Sequence, residues 1–236
     1  MRRHERRTAE ATPPRAVGRG GRGRVAQAEG GLRAIHQQVL RSFAATGRPP
    51  AAADLAETAA RYATTTDAVL AALHTEDFLQ LDAGGQIRAA YPFSAVPTPH
   101  RVDLDAGPRV YAMCAIDALG IAAMLHAAVT ITSADSRTGG PVTITVHAGG
   151  QTAAWQPPAA VVFAGTSREP CHVPADAPVI PAAADVSCGY VNFFTTGASA
   201  AAWASAHPEV TGEILGQAAA LRLGTAIFGH LLADDP

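Results

Sequence analysis

The amino-acid sequence predicts an α+β fold in which a small helical module precedes a larger mixed α/β domain. Two patterns carry this prediction. Apolar residues recur every three to four positions between Gly31 and Tyr91, and short β-branched runs alternate with apolar helical stretches after Arg101. The composition also permits a packed core, because 48% of the 236 residues are hydrophobic and only 16% are charged. A wholly disordered chain is therefore excluded.

Residues 1–29 are predicted to be a disordered basic tail. The first 24 residues hold eight Arg and two Glu and show almost no apolar periodicity. Such a segment buries too little apolar surface to offset the entropy lost on ordering. The remaining residues are acidic and bring the net charge to −2, so the overall charge gives no support to a nucleic-acid-binding body.

Residues 30–91 are predicted to form a winged helix-turn-helix-like module. The pattern favours a first helix with an apolar face from Leu32 to Phe43, helices over 51–61 and 66–74, and then strands over 78–81 and 86–89 around a turn. Gly47 with Pro49-Pro50 ends the first helix, and Thr64, Thr65 or Thr66 caps the third. The third helix contains no Arg, Lys, Asn or Gln, although base readout and phosphate contacts need such side chains. The sequence therefore argues against DNA binding by this module.

Residues 92–236 are predicted to form the mixed α/β domain, entered through a Pro-rich connection over 91–101. A strand end leads into a helix over 110–126, which begins near Ala112. The remaining predicted elements are strands over 129–132, 142–146, 160–163 and 190–194 and helices over 198–207 and 213–232. No stretch reaches the roughly 20 apolar residues of a membrane span, and no apolar signal core follows the basic start. We therefore expect a cytoplasmic protein.

Two of the three cysteines occur in patterns that suggest chemistry. Cys114 and Asp117 are spaced i and i+3, so they share a face of an otherwise apolar helix, where an acid is unusual. Cys188 stands before a strand, and Gly189 beside it permits a close backbone approach. Cys171 precedes His172 between two prolines, but no second pair of ligands completes a zinc site. From the residues alone, buried core thiols and a capping acid remain the competing interpretation.

Four stretches of the sequence resemble one known family. The run from Tyr111 to Leu119, Tyr-Ala-Met-Cys-Ala-Ile-Asp-Ala-Leu, resembles the catalytic helix of the alkylmercury (organomercurial) lyases, whose signature is Tyr-Ala-Trp-Cys-Ala-x-Asp-x-Leu. The other three are the second catalytic cysteine with its Phe-Phe strand over 188–194, the Thr-Gly-x-Pro-Val turn over 138–142, and the C-terminal helices over 203–232. Three positions depart from the family: Met113 replaces the usual Trp, Asp135 stands where a structural cysteine is common, and Gly189 stands where some members carry another cysteine.

The resemblance implies a catalytic domain of the alkylmercury lyase type and a function. Cys114 and Cys188 would bind the mercury of an organomercurial, and Asp117 would supply the proton that releases the hydrocarbon and leaves Hg(II). It implies no cofactor, a free thiol as co-reactant, and a mercuric reductase or small thiols as acceptor of Hg(II). A non-catalytic soft-metal (mercury) binding protein and a metal-sensing winged-helix regulator are the alternatives. Asp117 discriminates between them, because a site that only sequesters metal needs no proton donor.

Overall fold

A computed structural model describes residues 23–167 and 182–233, and it has the α+β architecture that the sequence predicts. Two antiparallel sheets and seven α-helices make up this described part of the chain. The predicted disordered tail lies outside it as far as residue 22. Residues 23–29 differ from the prediction: Ala26 is fully buried, and its carbonyl accepts a hydrogen bond from Arg33 Nε at 2.8 Å. The buried Ala26 side chain and hydrogen bonds to Ala26 and Gln27 thus attach this end of the segment to the core.

Three helices and a hairpin open the structure, in the predicted order. The helices are α1 (Leu32–Thr46), α2 (Ala52–Arg61) and α3 (Thr66–Thr75). Gly47 ends α1 in the left-handed conformation, with φ of 76°, and its N–H donates to Phe43 O at 2.9 Å. Thr65 caps α3 by accepting a hydrogen bond from the Ala68 N–H at 3.3 Å. Both predicted helix ends are therefore confirmed.

The larger sheet has eight strands, paired in the order β1-β2-β3-β5-β4-β6-β7-β8. They are β1 (Leu79–Leu81), β2 (Ile87–Ala90), β3 (Phe93–Ser94), β4 (His100–Leu104), β5 (Arg109–Ala112), β6 (Val129–Ala134), β7 (Pro141–Val146) and β8 (Ala153–Gln156). The predicted connection over 91–101 is wrong in part, because Phe93 and His100 pair with Ala112 from opposite sides. Strands on both sides of residue 91 thus belong to one sheet, although the sequence predicts a domain boundary there. That boundary stays a prediction.

The smaller sheet has three strands, with β9 in the middle. The strands are β9 (Val161–Ser167), β10 (Val191–Phe194) and β11 (Val210–Leu215). Three short or C-terminal helices accompany them: α5 (Ala183–Val186), α6 (Gly197–Ala206) and α7 (Gln217–Phe228). The predicted helix over 213–232 is wrong at its start, since Glu213 and the next two residues pair with β9. Gly216 then separates the strand from α7.

One helix, α4 (Ala115–Leu125), lies at the centre of the molecule. Residues 115–124 are all buried, and the helix contacts β4, β5 and β6, both β9 and β10, and α7. A helix that is apolar apart from the single acid Asp117 suits such a position. At its crossing with α7 a Cβ on Gly120 would lie 2.7 Å from the carbonyl oxygen of Gly224, so only glycine permits this approach. No helix of the described ranges is long and apolar enough to cross a membrane.

Candidate active site

Cys114 occupies the junction between β5 and α4. The helix begins at Ala115 rather than near Ala112, because Ala112 is still paired within the sheet. Cys114 is therefore the N-cap residue of α4, with extended backbone, and its Sγ accepts a hydrogen bond from the Asp117 N–H at 3.5 Å. The sulfur therefore lies at the N-terminal end of the helix, where backbone N–H groups lack partners within the helix. The side chain is fully buried.

Asp117 lies in the first turn of the same helix. It is fully buried, and it is the one acidic residue in the first turn of α4. The N-terminal end of a helix favours a carboxylate, which helps to explain how an acid is accommodated among apolar neighbours. The i and i+3 relation that the sequence predicts is kept, although the helix starts later than predicted.

Cys188 reaches the site from a distant segment of the chain. It begins a short 3₁₀ turn, Cys188–Tyr190, which follows α5 and leads directly into β10. Only 4% of the residue is exposed. The turn is tied to α5 by hydrogen bonds from Ser187 N to Ala183 O at 2.9 Å and from Tyr190 N to Ser187 O at 2.8 Å.

The two thiols and the carboxylate form one cluster. The sulfurs of Cys114 and Cys188 and a carboxylate oxygen of Asp117 all lie within 4.8 Å of one another, and all three residues are buried. The cysteines are not joined in a disulfide. The predicted convergence of these residues is therefore confirmed, whereas their roles in a reaction stay predictions. Two thiolate–metal bonds of about 2.3 Å, the length known for zinc, span a similar distance, so one soft ion fits between the sulfurs.

A cavity of about 460 Å³ leads to this cluster. Cys188 and Met113 both line it, while Cys114 and Asp117 lie deeper in the protein. Its walls come from the β1–β2 hairpin, from the segment before β4, and from the segment that carries Cys188. The polar side chains among them are Gln80, Arg88, Ser94, Thr98, His100, Asp185, Tyr190 and Asn192.

His100 and Asn192 connect the cavity wall to the turn that holds Cys188. Burial lowers the pKa of His100 to about 4, although a hydrogen bond with the Asn192 side chain raises it, so the imidazole is neutral at pH 7. Its Nδ1 lies 3.0 Å from the Ser133 hydroxyl. Asn192 Nδ2 donates to the carbonyl of Gly189 at 3.0 Å, next to Cys188.

Asp135 joins the β6–β7 turn to the chain after β10. Its carboxylate accepts hydrogen bonds from the backbone and hydroxyl of Thr195 at 2.8 and 2.7 Å and from the Ser199 hydroxyl at 3.0 Å. Desolvation by burial would raise the pKa of this carboxyl, but hydrogen bonds from Thr195, Thr138 and Arg137 hold it well below its ordinary value. At the position where the resembling family often has a structural cysteine, this chain thus has a hydrogen-bonded anchor.

The remaining sequence predictions divide into those the structure describes and those it does not. Cys171 lies outside the described residues. The sequence did not indicate His100, because it falls in a segment that the pattern predicts as a connection. The prolines before it suggested a loop where the structure has strand β4. Asn192 stands within a predicted strand, and nothing in its neighbours marked its side chain as a support for Cys188.

Comparisons with known proteins agree with this site. A family model described as MerB, alkylmercury lyase, matches residues 93–229. An alkylmercury lyase from Streptomyces lividans is 32% identical over 196 residues, which is 83% of this chain and 83% of that protein. The chain belongs to the alkylmercury lyase family. The resemblance found in the sequence is therefore confirmed.

Two further relatives are matched over a smaller share of their length. The alkylmercury lyases from Staphylococcus epidermidis and Pseudomonas putida are each 33% identical, over 57% and 58% of those proteins. A solved structure described as the mercury-bound form of MerB2 matches with a TM-score of 0.63 and 25% identity. It covers 86% of this chain and 89% of its own, so the structural match extends beyond the region of the family model.

Proposed function

We propose that this lyase cleaves the carbon–mercury bond of organomercurials by protonolysis, with Cys114 and Cys188 as mercury ligands and Asp117 as proton carrier. The observation that carries the proposal is the cluster of two sulfurs and one carboxylate oxygen within 4.8 Å. Mercury is a soft ion and thiolate is the softest ligand that a protein offers. The solved MerB2 relative, described as mercury-bound, supports the same choice of ion.

Substrate would reach the two sulfurs in sequence. Cys188 lines the cavity, whereas Cys114 is fully buried, so an incoming R–Hg⁺ species meets Cys188 first. The Cys188 thiolate displaces the original counter-ligand and forms R–Hg–S. Cys114 then transfers its proton to Asp117 and binds mercury as a second thiolate. The added electron density from sulfur weakens the Hg–C bond and makes the carbon more basic.

Asp117 completes the reaction by general acid catalysis. The carboxylic acid gives its proton to the carbon, the Hg–C electron pair becomes the new C–H bond, and the hydrocarbon leaves. Hg(II) remains on the two thiolates, and Asp117 is again a carboxylate. Two external thiols then exchange for the cysteines, so small thiols or a mercuric reductase would accept the metal. No cofactor takes part, and we place the reaction in the cytoplasm, where free thiols are kept reduced.

We further propose that the three N-terminal helices and the β1–β2 hairpin are a winged-helix-like module that serves the active site. Gln80, Leu81, Arg88 and Ala89 of the hairpin line the cavity, and Phe43 of α1 stacks on Phe93 of the sheet with ring centroids 5.3 Å apart. The third helix, α3, contains no Arg, Lys, Asn or Gln. These features favour a role in lining the substrate cavity over a role in binding nucleic acid.

The test is hydrocarbon release from a defined substrate. Purified protein is incubated with methylmercury or phenylmercury and excess thiol, and methane or benzene is measured in the headspace. We expect hydrocarbon release by the parent chain and none above background from Cys188→Ser, because the remaining thiolate alone cannot supply two sulfur ligands to mercury. Mercury binding by the parent chain without any hydrocarbon would favour a soft-metal binding protein. Parent-like release from Cys188→Ser would contradict the mechanism.

A further inference from the structure

Asp77 is a fully buried carboxylate that the proposed chemistry does not use. It lies between α3 and β1, it is 0% exposed, and its φ of 64° is unusual for a residue with a side chain. A buried acid is costly unless hydrogen-bonded partners stabilise it. The identity of those partners therefore indicates what the residue is for.

The carboxylate of Asp77 connects two parts of the chain. One oxygen, Oδ1, accepts hydrogen bonds from Gln80 Nε2 at 2.7 Å and from the Tyr91 hydroxyl at 3.1 Å, both within the N-terminal half. The other, Oδ2, accepts from the Ala183 N–H at 3.0 Å, 106 residues along the chain. The Tyr91 oxygen itself accepts from the Ala184 N–H at 3.1 Å. Asp77 and Tyr91 together thus hold the first two N–H groups of α5.

This contact leads directly to Cys188. α5 has four residues, and hydrogen bonds within the backbone connect Ala183 to Ser187 and Ser187 to Tyr190. A helix this short has little stability of its own. Its position depends on what holds its ends, and Asn192 holds the far end through the carbonyl of Gly189.

We infer that Asp77, assisted by Tyr91, is a positioning residue for Cys188. By fixing the start of α5 it keeps the Cys188 sulfur within reach of the ion that Cys114 binds. The inference rests on the proposed function, in which both sulfurs ligate one mercury. It also assigns the N-terminal module a role in catalysis, since the module supplies the carboxylate that anchors the second thiol.

Asp77→Asn separates positioning from general stability. The amide oxygen can still accept hydrogen bonds from Gln80 and Tyr91, but the amide nitrogen is a donor and would face the Ala183 N–H, also a donor. The connection within the module is kept while the one to α5 is lost. Misplacement of a reacting group by about 1 Å costs up to about 10²-fold, so we expect kcat/KM for hydrocarbon release to fall about 10- to 10²-fold.

The second readout is the rate at which iodoacetamide alkylates each thiol, resolved by mass spectrometry of peptides. Local release of α5 exposes Cys188 but not Cys114. The alkylation rate of Cys188 divided by that of Cys114 should therefore rise about tenfold or more. Equal acceleration of both thiols would mean general destabilisation and would overturn the inference, as would an unchanged ratio. Labelling needs no cleavage of Hg–C, so failure of the proposed function is distinguished from failure of this inference.

Two further variants complete the design. Asp82→Asn is the matched control: Asp82 accepts hydrogen bonds from Gly84 N and Gln86 N in the exposed β1–β2 turn of the same module, and neither bond involves α5. We expect parent-like release and labelling from it. Tyr91→Phe removes the oxygen that accepts from Ala184, and it should shift the labelling ratio in the same direction as Asp77→Asn. If Asp77→Asn does not fold, Tyr91→Phe decides, and a parent-like ratio in it overturns the inference.

Discussion

The two thiols of the site are held in place by different kinds of interaction. Cys114 caps an 11-residue helix that is buried on all sides between two sheets and α7. Cys188 starts a three-residue turn after a four-residue helix. Asp77 and Tyr91, from a distant part of the chain, hold one end of that segment, and the nearby Asn192 holds the other.

The difference between these segments predicts how each responds to change. Close packing fixes the Cys114 segment, so added or removed volume should affect it more than the loss of any one hydrogen bond. Hydrogen bonds from outside add to the packing of the Cys188 segment, so it should respond to altered donors and acceptors. Its exposed Gly189 has open space around it and should tolerate added volume. The two mercury ligands thus depend on different contacts, the first mainly on packing and the second also on hydrogen bonds from outside its own segment.

Among changes that leave both thiols in place, Asp117→Ala should lower the rate most. The change removes the proton carrier from the Cys114 segment but leaves both thiols. General acid–base groups contribute about 10²–10⁴-fold, so hydrocarbon release should fall by that factor while Hg(II) binding survives. Hydrocarbon release into the headspace and Hg(II) binding are measured on the same preparation of the variant.

Asp67→Ala is the control for that variant, since Asp67 is also an acid in the first helical turn, of α3, but is exposed. It should leave release unchanged. Parent-like release from Asp117→Ala would remove Asp117 from the mechanism, and parallel loss of release and binding would indicate misfolding.

One substitution made in both segments tests the contrast directly. In Gly120→Ala the new Cβ would lie 2.4 Å from the Phe228 ring and 2.7 Å from a backbone oxygen, so the free energy of unfolding should fall by about 1–3 kcal/mol. In Gly189→Ala the new Cβ meets nothing within 4 Å, and we expect a change within about 0.5 kcal/mol. Urea unfolding followed by circular dichroism gives both values. Equal losses in the two variants would contradict the contrast.

The pH dependence of stability should reveal the neutral His100, which is hydrogen-bonded to Asn192. Burial lowers the pKa of His100 to about 4, as it does for His36 in α1. The unfolded chain therefore binds more protons than the folded one below pH 6.5, and stability falls as the pH drops from 6.5 towards 4. At pH 5 each histidine should account for roughly 2 kcal/mol of that fall.

His100→Gln and His36→Gln separate the two contributions. Each should make the unfolding free energy less dependent on pH between 7 and 5, by a similar amount. Only His100→Gln touches the support of Cys188, through Asn192, so only it should also raise the rate of Cys188 alkylation. If His100→Gln leaves the pH dependence unaltered, the imidazole is not held neutral by burial as described.

The sequence could predict the Cys114 segment because its information is local. The i and i+3 spacing places Cys114 and Asp117 together whether the helix starts at residue 112 or 115. The convergence with Cys188 was available only through the family resemblance, since no spacing along the chain relates the two. Strands β3 and β4 were missed because their pairing with β5 is decided by tertiary contacts, and the short β-run at 213–215 looked helical for the same reason. Nothing near Asp77 in the sequence points to Ala183, 106 residues away.

The smallest expected effect concerns the third cysteine, Cys171. It has no counterpart in the family pattern, and the cluster of Cys114, Asp117 and Cys188 already contains two soft ligands and a proton carrier. Cys171→Ala should therefore release hydrocarbon within about twofold of the parent rate, since the transition state loses no ligand. The informative comparison is with Cys188→Ser, assayed with the same substrate and the same excess of thiol. A loss from Cys171→Ala as large as that from Cys188→Ser would show that a third thiol delivers or removes mercury. The contrast between the two thiol segments would then have to include a third segment.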